Sequence, residues 1–181
     1  LGDANKADGY AFGGTLNVGD ARVILLDKGT AALGAKTTIA EGGVLVGVNG
    51  ISLAAGQRLD ATGAASIVGE FTNRGAVSGS GGTLTFRDDV SGAGSFAGTI
   101  AFHAGYNPGD AGGNPIAAID FGGGTALFDL NSYLTLDLNG NTPGSYDQLG
   151  NVGQLQVDGT LRLVFGGGFI PQPGTTFQLF G

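Results

Sequence analysis

The stretch GGVLVGVNGISLAAG, residues 42–56, decides how this chain folds. GGVLVGV (42–48) and GISLAAG (50–56) are short, apolar and alternating, and Asn49-Gly50 lies between them. Period-two alternation bounded by glycine marks strands, and Asn-Gly accepts the positive φ of a tight turn. Two folds fit this grammar. A hairpin would bring the second strand back against the first and build a β-sandwich or jelly roll. A corner would carry the chain to another face and build a parallel β-solenoid, whose layers stack about 4.8 Å apart.

The rest of the chain repeats the pattern. GGTLNV (13–18), RVILL (22–26), GTLTF (82–86), GSFAGTIAF (94–102) and TALFDL (125–130) read as strands. So do YLTLDL (133–138), QLQV (154–157), GTLRLVF (159–165) and TTFQLF (175–180). No helical period runs beyond about two turns, and TAALGAK (30–36), the nearest candidate, is weakened by its glycine. Pro108-Gly109, Pro143-Gly144 and Pro173-Gly174 suit tight turns.

A loose repeat favours the solenoid. Gly14-Thr15-Leu16, Gly82-Thr83-Leu84 and Gly159-Thr160-Leu161 each open an alternating segment, and Gly124-Thr125-Ala126 does so with alanine. Irregular β repeats punctuated by glycine point to stacked layers. At roughly 20–25 residues per layer, the chain would form about seven to nine layers and a rod about 35–45 Å long. The expected fold class is therefore all-β, a parallel β-solenoid (β-helix) in one domain spanning 1–181, with the β-sandwich or jelly roll as the alternative.

Composition narrows the function. Of 181 residues, 38 are glycine, about three times the usual share. Charged residues make up 13% and hydrophobic residues 41%, so the chain has the apolar content to fold. The absence of cysteine removes disulfides and thiolate chemistry. A net charge of −7, with eight unclustered Lys and Arg, argues against nucleic acid and anionic membrane surfaces. No apolar run reaches transmembrane-helix length, so membrane insertion is not expected. The chain lacks an initiator Met and reads as processed or excised.

Several groups invite a chemical reading. His103, Tyr106, Asp110 and Asp120 would suit acid–base work, but no nucleophile motif accompanies them. The reading preferred is a turn, Tyr106-Asn107-Pro108-Gly109-Asp110, with Asp110 and Asp120 kept as candidate cation ligands. Arg87-Asp88-Asp89 reads as a charged turn, with a calcium-dependent polysaccharide-active centre as the alternative. DANKADG (3–9) offers Asp3, Asn5 and Asp8 before Gly9 but misses calcium-loop spacing by one residue. It reads as a polar turn, so no cofactor is expected and Ca²⁺ is the alternative. Gly122 to Gly124 and Gly166 to Gly168 lack the Lys and Ser/Thr of a phosphate loop and read as turns or bulges. Phe86, Phe96, Phe102, Phe121, Phe128, Phe165, Phe177 and Phe180 read as core.

Residues 80–181 carry a resemblance. VSGAGSFAG (90–98), GYNPGD (105–110), LTLDL (134–138), YDQL (146–149), GQLQVDGTLRL (153–163) and PQPGTTFQLF (171–180) follow one another in order. Together they resemble a module of PEP-CTERM-type exported proteins and autotransporter passenger domains. The resemblance implies a β-helical bacterial surface protein, extracellular, adhesive or structural, and supplies no catalytic motif. The sequence after TTFQLF contains neither a sorting tail nor a translocator barrel, which leaves the mode of attachment open.

The function expected is therefore non-enzymatic: a self-assembling subunit of a surface filament, surface layer or biofilm matrix. The partner expected is the protein itself. Thr175, Thr176, Phe177, Gln178, Leu179 and Phe180 form an uncharged, proline-free strand that reads as open for pairing. A monomeric adhesin or carbohydrate-binding module, with surface polysaccharide as partner, is the alternative.

Overall fold

The computed structural model describes residues 13–110 and 114–181. Among these there is no helix, and every pairing between named strands is parallel. The candidate helix TAALGAK instead holds a two-residue strand and the start of the next. No helix of the described residues is long and apolar enough to cross a membrane.

The chain visits three columns of strands in turn. β1 (Thr15–Val18), β4 (Lys36–Ile39) and β7 (Arg58–Thr62) form the first. β2 (Arg22–Leu25), β5 (Val44–Gly47) and β8 (Ala65–Val68) form the second. β3 (Ala31–Ala32), β6 (Ile51–Leu53) and β9 (Phe71–Asn73) form the third. β10 (Ala76–Phe86) then runs through the first two columns as one bent strand, pairing with β7 and then β8. β12 (Ser95–Phe102) stacks along β10 in the same way. The third column continues through β11 (Val90–Gly92), β13 (Gly105–Pro108), β16 (Tyr133–Leu138) and β19 (Thr160–Phe165). β15 (Thr125–Phe128) and β18 (Gln154–Val157) extend the second, and β14 (Ala118–Asp120) pairs with β17 (Gln148–Gly150) beside them.

Asn49-Gly50 is thus a corner. β5 and β6 pair with different strands in different sheets. Gly50 has φ +91°, and its N–H donates to Gly47 O at 3.2 Å. Asn49 Nδ2 donates to Asp27 O of the preceding layer. The hairpin needed for the sandwich alternative is absent here.

The register sets the layer length. Thr15 lies beside Lys36, Lys36 beside Arg58, Arg58 beside Ala76 and Ala76 beside Ser95, spacings of 18 to 22 residues. Thr99 to Thr125 to Gln154 widens this to 26 and 29, because longer excursions leave the later layers. The third column holds seven strands, consistent with the expected stacking.

Inward positions align into apolar ladders. Ile51, Phe71, Val90, Tyr106 and Leu134 stack in register and are buried. Beside them runs an aromatic file: Phe102 stacks on Phe128 and Tyr106 at 4.8 Å each and on Phe86 at 5.7 Å. Stacked parallel strands bring identical positions together, so one aromatic favours another above it. Five of the eight phenylalanines expected in the core are fully buried there; Phe177 and Phe180 pack only partly against it, and Phe165 is exposed.

One ladder is interrupted. Thr37 sits between Leu16 and Leu59, fully buried, and its Oγ1 has no partner among the described residues. An unpaired buried hydroxyl costs about 1–3 kcal/mol. Thr37→Val is therefore expected to stabilise the fold by about 1 kcal/mol, read as a higher urea midpoint at unchanged slope. A lower midpoint would show that the hydroxyl has a partner in solution.

Candidate functional site

The residues that first suggested acid–base chemistry are placed apart. His103 follows β12 at a corner, with Nδ1 3.2 Å from Arg87 Nη1 and 3.6 Å from Asp129. Arg87, His103, Asp129 and Asp158 each follow an in-register inward residue, so this corner carries one polar side chain per layer. Tyr106 belongs to β13 and is fully buried, so its assignment to a turn is corrected: the strand runs to Pro108, and Gly109, with φ +87°, follows it and bridges Gly92. Asp110 accepts from Arg74 Nε at 3.0–3.1 Å and ion-pairs with Arg74 Nη2 at 3.0 Å. Asp120 accepts from Gly122 N–H at 2.8 Å and Asn151 Nδ2 at 3.1 Å.

Arg87-Asp88-Asp89 forms the turn between β10 and β11. The two carboxylates act in opposite directions along the stack. Asp88 accepts from Gly69 N–H in the layer before, at 2.7 Å. Asp89 accepts from Gly105 N–H in the layer after, also at 2.7 Å. Tyr133 Oη donates to both oxygens of Asp89, at 3.0 and 3.1 Å. Burial and this hydrogen bond raise the Tyr133 pKa and keep the phenol protonated. The Tyr133 ring lies over Gly105, where an added Cβ would come within 2.4 Å of it. The Arg162 guanidinium sits over the same ring, 3.8 Å from its centroid.

Gly122 and Gly123, with φ +57° and +75°, turn the chain from β14 into β15. Gly167 and Gly168 turn it after β19, where Phe169 N–H donates to Gly166 O at 2.9 Å. DANKADG, with Asp3, Asn5 and Asp8, lies outside the described residues. Among the described residues no group of three or more His, Cys, Asp and Glu could hold a metal ion.

Thr175 to Phe180 packs on its own chain. Phe180 bridges Leu149 in parallel, and Gln148 Nε2 donates to Gln178 O at 2.9 Å. Phe177 meets Tyr146 edge-on at 5.4 Å. This segment covers β17, while β18 and β19 each pair on one side only. All six residues of β19 are exposed. Leu161, Leu163 and Phe165 are 41%, 43% and 47% exposed, although their in-register neighbours Leu134, Leu136 and Leu138 are all at 0%.

Sequence reasoning did not identify Asp147 or the outer face of the third sheet. Asp147 is fully buried; Oδ1 accepts from Ala117 N–H at 2.7 Å and Oδ2 from Asp137 N–H at 2.8 Å. Burial pushes its pKa up to about 7 against the pull of these two bonds. The outer face carries Ser52, Thr72, Ser91 and Asn107 in register. Comparison of the chain with protein-family models, curated proteins and solved structures returned no match.

Proposed function

We propose that the protein is a parallel β-solenoid, a non-catalytic structural subunit at the bacterial cell surface that associates with a second copy of itself through β18 and β19. The carrying observation is the exposed ladder Leu161, Leu163 and Phe165, which continues a buried ladder and, among the described residues, has nothing stacked on it. Exposed edges are normally guarded by charge, proline or a covering segment. β18 has no charged residue. The single charge of β19, Arg162, is turned onto the Tyr133 ring.

A second copy suits this edge better than a head-to-tail stack. At the opposite edge, the inward residues Leu16 and Val18 of β1 are already buried. Two unequal ends favour pairing of like with like, which is isologous and closes as a two-fold dimer. A two-fold axis at Leu163 would set Leu161 against Phe165 and Arg162 against Val164, so no like charges oppose. Larger surface layers would then need a further contact between such pairs. The extracellular placement rests on the resemblance of residues 80–181 to exported surface modules and on the charge-poor, cysteine-free composition.

Sedimentation velocity at rising concentration tests this reading. The native chain is expected to pass from monomer to dimer. Leu163→Asp, at an exposed position, is expected to keep the fold and weaken association more than about tenfold, since it places charges face to face. A native chain that stays monomeric at every concentration would sink the proposal.

A further inference from the structure

We infer that the groove on the outer face of the third sheet binds a neutral, hydroxyl-rich chain, a short run of an uncharged polysaccharide. The groove has a volume of about 310 Å³. Thr72, Ser91, Asn107 and Thr135 line it, with Glu70 and the Asp89–Tyr133 pair among the residues around them. Register makes its lining periodic: Thr72, Ser91 and Asn107 follow one another at the layer spacing of about 4.8 Å. That repeat is close to the length of one sugar ring along an extended glycan.

The wall is built in advance. Gly105 lets the Tyr133 ring lie flat, Asp89 holds its hydroxyl, and Arg162 closes over its other side. The lining has unused hydrogen-bonding capacity. Thr72 Oγ1 and Ser91 Oγ are 3.4 Å apart, a weak contact that leaves both hydroxyls with capacity. Asn107 Oδ1 is buried and, among the described residues, without a partner.

Charge and polarity select the ligand. Glu70 and Asp89 would repel a phosphate or a polyanion. A cation would have the Glu70 carboxylate alone to bind, because both Asp89 oxygens already accept from Tyr133 and Gly105. Hydroxyls and an amide offer an apolar ligand no matching surface. A neutral polyol can donate to the Asn107 amide oxygen and the Glu70 carboxylate, and it can both donate to and accept from Thr72, Ser91 and Thr135.

The test is isothermal titration of the full chain with four neutral hexasaccharides: β-1,4-glucan, β-1,3-glucan, α-1,4-glucan and β-1,4-linked N-acetylglucosamine. At least one is expected to bind with Kd of about 1 mM or tighter. The double variant Thr72→Val/Ser91→Val keeps strand-favouring residues at half-exposed positions and is expected to bind at least tenfold more weakly with its fold intact. Thr135→Val repeats the test at a second position, should the double variant not fold. Ser78→Ala, on the first column, is expected to bind as the native chain does. Failure of all four sugars, unchanged affinity in both groove variants, or preference for polygalacturonate would each overturn the inference. Self-association is read separately by sedimentation, so the two proposals can fail independently.

Discussion

Replacing Gly98 with alanine is expected to destabilise the fold by about 3 kcal/mol or more. Gly98 is where β12 bends from the first column into the second, at φ +75°. Two costs combine there. An L-residue in this left-handed region loses about 1–2 kcal/mol. The added Cβ would also lie 1.6 Å from Gly79 O and 2.6 Å from Gly79 C in the layer below. Backbone cannot swing aside as a flexible side chain does, so β10 and β12 would have to part where their hydrogen bonds hold the two layers together. Gly123→Ala separates the two costs. Gly123 has nearly the same conformation, φ +75°, and no atom of the described residues lies within 4 Å of the place an alanine methyl would take. It is expected to lose only the conformational part, about 1 kcal/mol. Urea denaturation of both variants reads the difference, and equal losses would show that the close approach of Gly98 to Gly79 is not maintained in solution.

Gly98 also shows how far the sequence could be read. GSFAGTIAF is plainly a β segment, but nothing local distinguishes a straight strand from one bent between columns. Asn49-Gly50 poses the same difficulty. Its positive φ is required by a hairpin and by a corner alike, and only the partner of the next strand separates them. The Gly-Thr-Leu repeat marks real strand segments, yet its spacing looks irregular because its copies enter different columns. Thr15 opens β1 in the first, Thr83 lies in the part of β10 that enters the second, and Thr160 opens β19 in the third. β7 alternates, but its inward residues are Leu59 and the small Ala61, and β8 opens its inward set with Ala65, so the apolar signal of both strands is weak.

The site is less legible because its parts are joined by layer stacking. Asp89 meets Tyr133 across 44 residues. Asp88 and Asp89 read as a turn and form one, but the N–H groups they accept from lie in two other layers. The turn reading of Tyr106 fails for a physical reason. Gly105 and Pro108 signal a turn, yet in β13 Gly105 makes room for the Tyr133 ring, while Tyr106 points inward between Val90 and Leu134. Phe165 fails in the opposite sense: its alternation is that of a core strand, but no further layer covers it among the described residues.

Asp147 should make the protein less stable as pH rises from about 4 to about 7. Its folded-state pKa is raised from 3.8 to about 7, chiefly by burial, with the nearby Asp137 carboxylate adding to the rise. Burial raises the Asp137 pKa as well, and Asp147 in turn helps burial keep the Tyr106 phenol protonated. The folded chain therefore binds a proton that the unfolded chain has released throughout this window. The stabilisation is fully present below about pH 4 and is lost as pH passes through about 7. A displacement of this size corresponds to about 4 kcal/mol at most, and the polarisable surroundings of a protein interior reduce the expected effect to about 2 kcal/mol. Asp147→Asn removes the titration and also one acceptor for the Ala117 or Asp137 N–H, so it should be less stable than the native chain at pH 4. Its midpoint should nevertheless change less between pH 4 and pH 7. Chemical denaturation of both proteins across that range measures the difference in slope. Parallel profiles would mean that Asp147 titrates in its ordinary range and that water reaches it between β16 and the Ala117 segment.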